Sequence, residues 1–213
     1  RVWSATHQPT LKRARSYETI FSQARAEFRR RDRDLVTHTQ VAVSPEDDIE
    51  LRRITLMNID RAPRTIELTS YAEIVLAPPA AEATHPMFSG LFVETEIVRE
   101  LQAILCHRRA RSHKEQHPWL VHLMRVHGSP RRPLPVVGDA SYETDRAAFI
   151  GRGRSAVAPA AMAGAGPLSN TDGPVLDPVA AIRTTVVIEP DDTVTIDLTT
   201  GIGETRDAAL LLA

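Results

Sequence analysis

The sequence predicts an all-β domain built as a large antiparallel sandwich, with the start of a helix at its C-terminal end. Three observations carry this. Over residues 64–77 apolar and polar positions alternate with a period of two: Ile66, Leu68, Ser70, Ala72, Ile74 and Leu76 fall on one face, and Thr65, Glu67, Thr69, Tyr71 and Glu73 on the other. Residues 183–189 and 193–199 are rich in Val, Ile and Thr and are separated by Pro190, Asp191 and Asp192, the composition of two strands around a turn. No internal repeat and no coiled-coil heptad competes with these patterns.

Residues 17–33 form the first segment and read equally well as an amphipathic helix or a long edge strand. Residues 34–43 are expected as a strand, with Val41 and Val43 inward and Gln40 outward. In 49–59 the apolar positions begin as Ile49 and Leu51 and then change phase to Ile54 and Leu56, the mark of a β-bulge or of burial on both faces. Pro63 punctuates the turn over 58–64, so 49–59 and 64–77 are expected to form an antiparallel hairpin. Residues 77–86 make a strand-to-strand excursion. Residues 94–111 again admit helix or strand, because 96–105 has good helix propensity. Residues 129–135 form a second loop. The stretch 156–178, with Gly164, Gly166, Pro167, Gly173 and Pro174, is a long irregular loop of a kind that is usually functional or mobile. The strands at 183–189 and 193–199 give a second hairpin; Gly201 and Gly203 are expected to end the sheet, and 204–213 to begin a helix.

A chain of 213 residues with 42% apolar content can bury a core, and 26 basic against 27 acidic residues leave a formal charge of -1. That balance argues against a nucleic-acid partner recruited by net charge. Two local basic clusters, Arg108, Arg109, Arg111 and Lys114, and Arg29, Arg30, Arg31 and Arg33, read as solvated surface. Cys106 is alone, so no internal disulfide forms; it reads as a buried structural thiol suited to a reducing compartment. No apolar run reaches the length needed to span a bilayer, and no signal peptide begins the chain.

The densest chemistry lies in 142–154. Two carboxylates (Glu143, Asp145), three arginines (Arg146, Arg152, Arg154), two aromatics (Tyr142, Phe149) and two glycines (Gly151, Gly153) occupy thirteen residues. Glycine lets backbone approach a ligand closely, and guanidinium forks can grip a carboxylate, a phosphate or sugar hydroxyls. A period of two would place Glu143 and Asp145 on one strand face, with Arg146 near enough to hold one of them ionised. That suits a scaffold fixing the loop 149–154 better than acid catalysis. Trp3, His7, Gln8, Trp119, Tyr142, Arg152 and Arg154 are the planar and aromatic groups available to a sugar; for Trp3 and Trp119 core packing is the competing role. The histidine pairs His113/His117 and His122/His127 lack a completing ligand set, so no metal site is expected. No nucleophile elbow, Walker loop or dinucleotide fingerprint occurs, and no cofactor is called for.

Seven segments, in order, carry a family resemblance: 2–9 (VWSATHQP), 43–53 (VSPEDDIELRR), 69–73 (TSYAE), 85–96 (HPMFSGLFVETE), 108–111 (RRAR), 142–154 (YETDRAAFIGRGR) and 176–178 (LDP). Together they resemble the β-sandwich domain of cellobiose phosphorylase-type glycoside phosphorylases, closest to the C-terminal phosphorylase region of the cyclic β-1,2-glucan synthases. The resemblance tips 17–33 and 94–111 toward strand. It implies a supersandwich over 1–203 that lacks its first strands. It also makes 204–213 the start of a helical linker to a catalytic helical barrel outside these residues.

The resemblance implies a parent enzyme that phosphorolyses β-1,2-glucan reversibly to glucose 1-phosphate with inversion, a separate glycosyltransferase region using UDP-glucose, and a catalytic aspartate in the barrel. For this chain it implies a non-catalytic role: support of the barrel, a homodimer contact, and a rim loop on the sugar cleft. The implied partners are a β-glucan oligosaccharide and inorganic phosphate through the parent. The implied location is the cytoplasmic face of an inner-membrane protein. A rival reading is a carbohydrate-binding or assembly module, favoured if Trp3, Trp119 or Tyr142 stand exposed on one face. A third is a hydrolase using Glu143 and Asp145.

Overall fold

A computed structural model describes residues 1–110, 115 and 118–213. The strands are β1 (Ser16–Ser22), β2 (Arg25–Asp32), β3 (Leu35–Val43), β4 (Ile49–Asn58), β5 (Arg64–Thr69), β6 (Ala72–Glu73), β7 (Val93–Val98), β8 (Ala103–Arg108), β9 (Trp119–His127), β10 (Ser141–Asp145), β11 (Gly173–Pro174), β12 (Pro178–Ile188) and β13 (Thr193–Gly203). Four short helices accompany them: α1 (Pro79–Thr84), α2 (Pro86–Gly90), α3 (Arg146–Ile150) and α4 (Arg206–Leu211). A nine-stranded sheet runs in the order β1-β2-β3-β4-β13-β9-β8-β7-β11, and a four-stranded sheet has β10-β12-β5 with β6 also on β12. Among the described residues every strand pair is antiparallel, as the alternation predicts.

The core lies between the sheets. Ile54 and Leu56 of β4, Ile104 and Cys106 of β8, Met124 of β9 and Val194 and Ile196 of β13 face Tyr142, Ala180, Ile182, Val186 and Ile188 of the small sheet. Two further apolar layers cover the outsides. On the large sheet, Ala103, Leu105, Val121 and Leu123 are capped by Ala209, Leu210 and Leu212 from α4 and the residue after it. On the small sheet, Val179 and Ala181 are capped by Phe149, Ile150 and Leu168. Full burial of each aliphatic side chain contributes roughly 1.5–3 kcal/mol. The all-apolar stretches of β8 and β12 follow from this layering, because both of their faces are covered.

Both expected hairpins are crossings between sheets. β4 pairs with β3 and β13, whereas β5 pairs with β12; β12 and β13 likewise lie in different sheets. Turn composition shows that the chain reverses, but not whether the return strand lies beside its predecessor or across from it. Here both turns arch over one end of the sandwich and are fastened to each other at Asn58. Its N–H donates to Asp192 O at 3.1 Å, its C=O accepts from Asp191 N at 2.9 Å, and its Nδ2 donates to Ala62 O and Ile188 O at 2.9 and 3.0 Å.

Other expectations are corrected locally. The single strand over 64–77 is interrupted at Ser70 and Tyr71, yet β5 and β6 keep one register on β12. Ser70 Oγ accepts the Ile182 N–H there at 3.0 Å. Strand β4 carries no bulge: its register against β3 and β13 is continuous. Its phase change is not burial on both faces either: Ile54 and Leu56 are buried in the core, whereas on the opposite face Leu51 is 47% exposed and Ile49 is half-buried near Gly201. Residues 17–33 and 94–110 are strand, but each is a pair of strands, β1–β2 and β7–β8, rather than one; Arg111 lies outside the described residues. The last strand ends at Gly203 as expected, with Gly201 two residues inside it, and Gly203 lets α4 approach, since a Cβ there would meet Ala209 N at 2.5 Å. Val43 shares the inward parity of β3 but is 69% exposed, because the large sheet overhangs the small one there. Residues 77–86 hold α1 and the first residue of α2.

Two arginines read as solvated surface are buried. Arg30 is 2% exposed, is paired with Asp32, and donates to Thr6 O and Lys12 O at 3.0 and 2.8 Å, which ties the N-terminal segment to β2. Arg108 donates to Ser89 O at 2.7 Å and lies 5.1 Å from the Phe92 ring centroid. Arg109 is exposed and reaches Glu94 at 3.1 Å; Lys114 lies outside the described residues. Cys106 is buried, and burial pushes its thiol up to about 12, so it is inert.

Candidate functional site

The 142–154 block sits at one edge of the small sheet, where β10 passes into α3. Alternation along β10 sends Tyr142 and Thr144 into the core and Glu143 to the outer face. Glu143 is 2% exposed. Its Oε1 accepts from the N–H groups of Thr144 and Asp145 at 3.0 Å each, and its Oε2 accepts from the Ser169 hydroxyl. Asp145 caps α3 by accepting from Ala147 N at 2.8 Å. A register shift between Glu143 and Asp145 separates the two carboxylates from a regular strand face.

Arg146 does not pair with either of them. It meets Glu73 at 3.0 Å and Asp177 at 3.6 Å. Glu73 on β6 and Asp145 on β10 lie on opposite sides of the first residues of β12, which brings these distant positions together. Tyr71 donates to Glu73 at 2.9 Å, and its ring stacks on Phe149 with centroids 4.7 Å apart. The Arg146 guanidinium holds the Glu73 carboxyl below its usual range. Burial raises the Asp177 carboxyl despite the Arg146 charge, with Glu73, Asp145 and Glu82 adding to the rise. Burial and the Glu73 carboxylate raise the Tyr71 phenol. Glu73 and Asp177 were not singled out by sequence; the segments 69–73 and 176–178 that hold them were, and only strand pairing joins those segments.

The loop after α3 is anchored at both ends. Gly151, at φ 82, lies where a Cβ would come within 2.6 Å of Ala160 Cβ, while Gly153 at φ 70 faces open space. Arg152 and Arg154 are exposed. The long 156–178 stretch is packed in place. Asn170 N donates to Tyr142 O at 2.8 Å and Asn170 Oδ1 accepts from Tyr142 N at 3.0 Å, so the loop covers the free edge of β10. Arg183, 4% exposed, donates to Gly166 O, Ala161 O and Thr69 Oγ1 at 2.7–2.9 Å. A cavity of about 260 Å³ opens beside it, lined by Glu67, Asp139, Ser141, Arg183 and Thr185.

The expected sugar-binding set does not converge. Trp3 is half-buried against the central core. His7 and Gln8 are exposed on the N-terminal segment, His7 with its ring 6.5 Å from that of Tyr17. Tyr142 is 2% exposed in the central core, with the Arg99 guanidinium 5.5 Å from its ring centroid. Trp119 is half-buried on the outer face of the large sheet, where one side of its indole is covered by His107 at 4.1 Å. The three aromatics thus occupy two layers, and Arg152 and Arg154 lie beyond a third. His122 and His127 also part company: the first is buried between the sheets, the second reaches Asp197 at 3.1 Å. His113 and His117 lie outside the described residues.

Comparison with known proteins places the whole chain. The family model described as the glycosyl hydrolase 94 supersandwich domain matches residues 1–213. The cyclic beta-(1,2)-glucan synthase NdvB of Rhizobium meliloti is 37% identical over 184 residues, covering 86% of this chain; the chain spans 6% of that protein's length. Among solved structures, a polysaccharide lyase aligns over 87% of this chain and 23% of its own, with 13% identity and a TM-score of 0.46. A putative aldose 1-epimerase from Klebsiella pneumoniae aligns over 92% of this chain and 56% of its own, with 11% identity and a TM-score of 0.36.

Proposed function

The chain belongs to the glycosyl hydrolase 94 supersandwich-domain family, and on that premise we propose that it is the non-catalytic sandwich of a cyclic β-1,2-glucan synthase-like enzyme. It is a domain of a carbohydrate-active enzyme family. In the proposed parent, β-1,2-glucan and inorganic phosphate yield glucose 1-phosphate in a helical barrel that follows residue 213, with α4 as the start of the linker. The sandwich supports that barrel, contributes a contact between two subunits, and presents the 151–154 loop at the rim of the sugar cleft. The parent works at the cytoplasmic face of the inner membrane.

The observation that carries this reading is the state of the carboxylates. Glu143 is held by two backbone N–H groups and a hydroxyl, Asp145 caps α3, and Glu73 is paired to Arg146. A glycoside acid needs a proton and a clear approach to the scissile oxygen. Asp177 has the raised carboxyl, but it stands partly exposed at the surface, 3.6 Å from Arg146. The separation of Trp3, Trp119 and Tyr142 into different layers also favours support over a free-standing sugar-binding module.

Titration of β-1,2-gluco-oligosaccharides with phosphate into this chain tests the reading, followed by calorimetry and by an assay for glucose 1-phosphate. The expected result is no product, and no saturable sugar binding without the barrel. Product formed by this chain alone would sink the proposal. Saturable binding that disappears in Trp119→Ala, with the fold retained, would transfer it to the binding-module class.

A further inference from the structure

We propose that the cleft between the N-terminal segment and the β2–β3 turn is a binding site for a phosphate-bearing ligand, gripped by Arg13, Arg15 and Arg33. The cleft measures about 590 Å³ and is lined by these three arginines with Arg1, Asp32 and Asp34. That volume lies within the range of small-ligand sites. Six of its seven lining residues are charged, four of them arginines, which suits an anion.

The acids in the cleft are already engaged elsewhere. Asp32 is buried and bound to Arg30, and Asp34 lies 3.6 Å from Arg64. The arginines are not: the side chains of Arg13, Arg15 and Arg33 have no hydrogen-bond or ion-pair partner among the described residues. Two of them are nevertheless fixed at the backbone. Arg15 N donates to Arg31 O at 2.8 Å. Arg33, at φ 56, forms the tight turn and accepts Arg31 Nε at 2.9 Å through its carbonyl. Behind the cleft, Arg30 clamps the N-terminal segment through Thr6 O and Lys12 O, so the wall carrying Arg13 and Arg15 is tied to β2. Arg1 rims the cleft 3.8 Å from Asp32 and is not needed for the site.

The ligand class follows from the donor set. One carboxylate, with two oxygens and one charge, is satisfied by a single guanidinium. Four arginines against two aspartates that also serve Arg30 and Arg64 leave the cleft with excess positive charge and more donors than a carboxylate can accept. A phosphate ester brings three strong acceptor oxygens and close to two charges, and accepts several planar forks at once. The same chemistry is offered by a soluble phosphate ester and by a phospholipid headgroup. The site is independent of the functional reading above, since neither a glucan nor the barrel enters it.

The test uses this chain and the triple variant Arg13→Gln/Arg15→Gln/Arg33→Gln, with Arg25→Gln/Arg52→Gln/Arg109→Gln as a charge-matched control at exposed positions outside the cleft lining. Probes are inorganic phosphate, a hexose phosphate, and phosphatidylcholine vesicles with and without phosphatidylglycerol. The arginine Nε–H resonances and vesicle co-sedimentation are read at low and moderate salt, and thermal melts verify the fold. Saturable binding of either soluble phosphate, weakened at least tenfold in the triple variant and retained in the control, supports a soluble source. Binding only to phosphatidylglycerol vesicles, with the same loss, supports a headgroup source. Absence of binding to all probes, or equal binding by the triple variant and the control, overturns the proposal.

Discussion

His122 on β9 and Ser70 at the β5–β6 interruption meet across the sandwich, with His122 Nε2 and Ser70 Oγ 2.9 Å apart, while His122 Nδ1 lies 2.9 Å from Thr200 Oγ1. This polar bridge is buried, and burial together with the Arg52 charge lowers the imidazole from 6.5 to about 4. The folded state therefore keeps the neutral ring, which the two hydroxyls can satisfy as one donor and one acceptor.

A group depressed in the folded state binds its proton more readily when unfolded. The contribution of neutral His122 is thus complete above its unfolded value of 6.5, is lost progressively as pH falls toward 4, and changes no further below that. The size is about 3 kcal/mol across this window. Urea unfolding of this chain should show stability falling from pH 7.5 to 4.5 more steeply than in His122→Gln, whatever the absolute stability of the variant. Equal slopes would show that the imidazole does not stay neutral when folded.

The two crossings between sheets are fastened to each other at Asn58. Asn58 is fully buried, and its side chain both donates to Ala62 O and Ile188 O and accepts from Asp60 N. Asn58→Ala leaves those groups unpaired at the point where both crossings meet, at a cost of about 2–4 kcal/mol. Asn58→Asp should cost more, since a carboxylate would then face two carbonyl oxygens. Chemical denaturation midpoints measure both; a loss below about 1 kcal/mol for Asn58→Ala would deny the fastening role.

How much of this was legible in the sequence differs between class and topology. Period-two alternation in residues 64–77 and the Val/Ile/Thr runs of β12 and β13 give strands directly, because the pattern is local. The pairing of those strands is not local. Pro63 and the Pro190–Asp192 stretch mark reversals, but burial of Asn58 between the arches decides that the partners lie in the opposite sheet. Similarly, Arg146 stood out among charged neighbours, while its partner Glu73 lies 73 residues away and reaches it only through β12. Tyr142 shares a motif with exposed arginines, yet the parity of β10 turns it into the core. The depth to which alternate residues sink depends on how much sheet lies opposite, which is why Tyr142 is covered and Val43 is not.

Gly203 under α4 and Gly153 in the loop after α3 give a paired test. Gly203→Ala places a methyl 2.5 Å from Ala209 N and 2.8 Å from Ala209 Cα, both backbone, so the helix must lift. Gly153→Ala meets no atom within 4 Å, but holds an L-residue at φ 70, a strain of about 1 kcal/mol. Hydrogen exchange should therefore speed up at α4 in Gly203→Ala and leave α4 unchanged in Gly153→Ala. Unaltered exchange in Gly203→Ala would mean that α4 is not seated on β13.

At the surface cluster, Arg146→Gln should act on protonation rather than on fold. The Glu73 carboxyl is lowered chiefly by its hydrogen bond from Arg146, so its midpoint should rise toward the usual carboxylate range. Asp177, already raised by burial and opposed by Arg146, should rise further. Exposed pairs of this kind contribute about 0–1 kcal/mol, so the melting temperature should hardly change. Side-chain carboxyl NMR titrations report both midpoints; an unmoved Glu73 would deny the pairing.

Arg183 is the converse case, a buried cation whose role is mechanical. Desolvation lowers its guanidinium, opposed by Glu67 at 3.4 Å, and its donors fasten Ala161 O and Gly166 O of the 156–178 stretch to β12. Arg183→Met keeps the apolar stem and removes every donor. The carbonyls it leaves behind sit near solvent and can hydrate, so the loss should be concentrated in the loop, at about 2–3 kcal/mol of local opening. The cover over Leu168 and Phe149 would then loosen, while the core between the sheets, closed by β4, β12 and β13, stays intact. Limited proteolysis should cut the variant within 156–170 at protease concentrations that spare the parent chain. A single global transition with no early cut would show that the loop is held by its apolar contacts and the Asn170–Tyr142 bonds alone, with Arg183 contributing nothing separable.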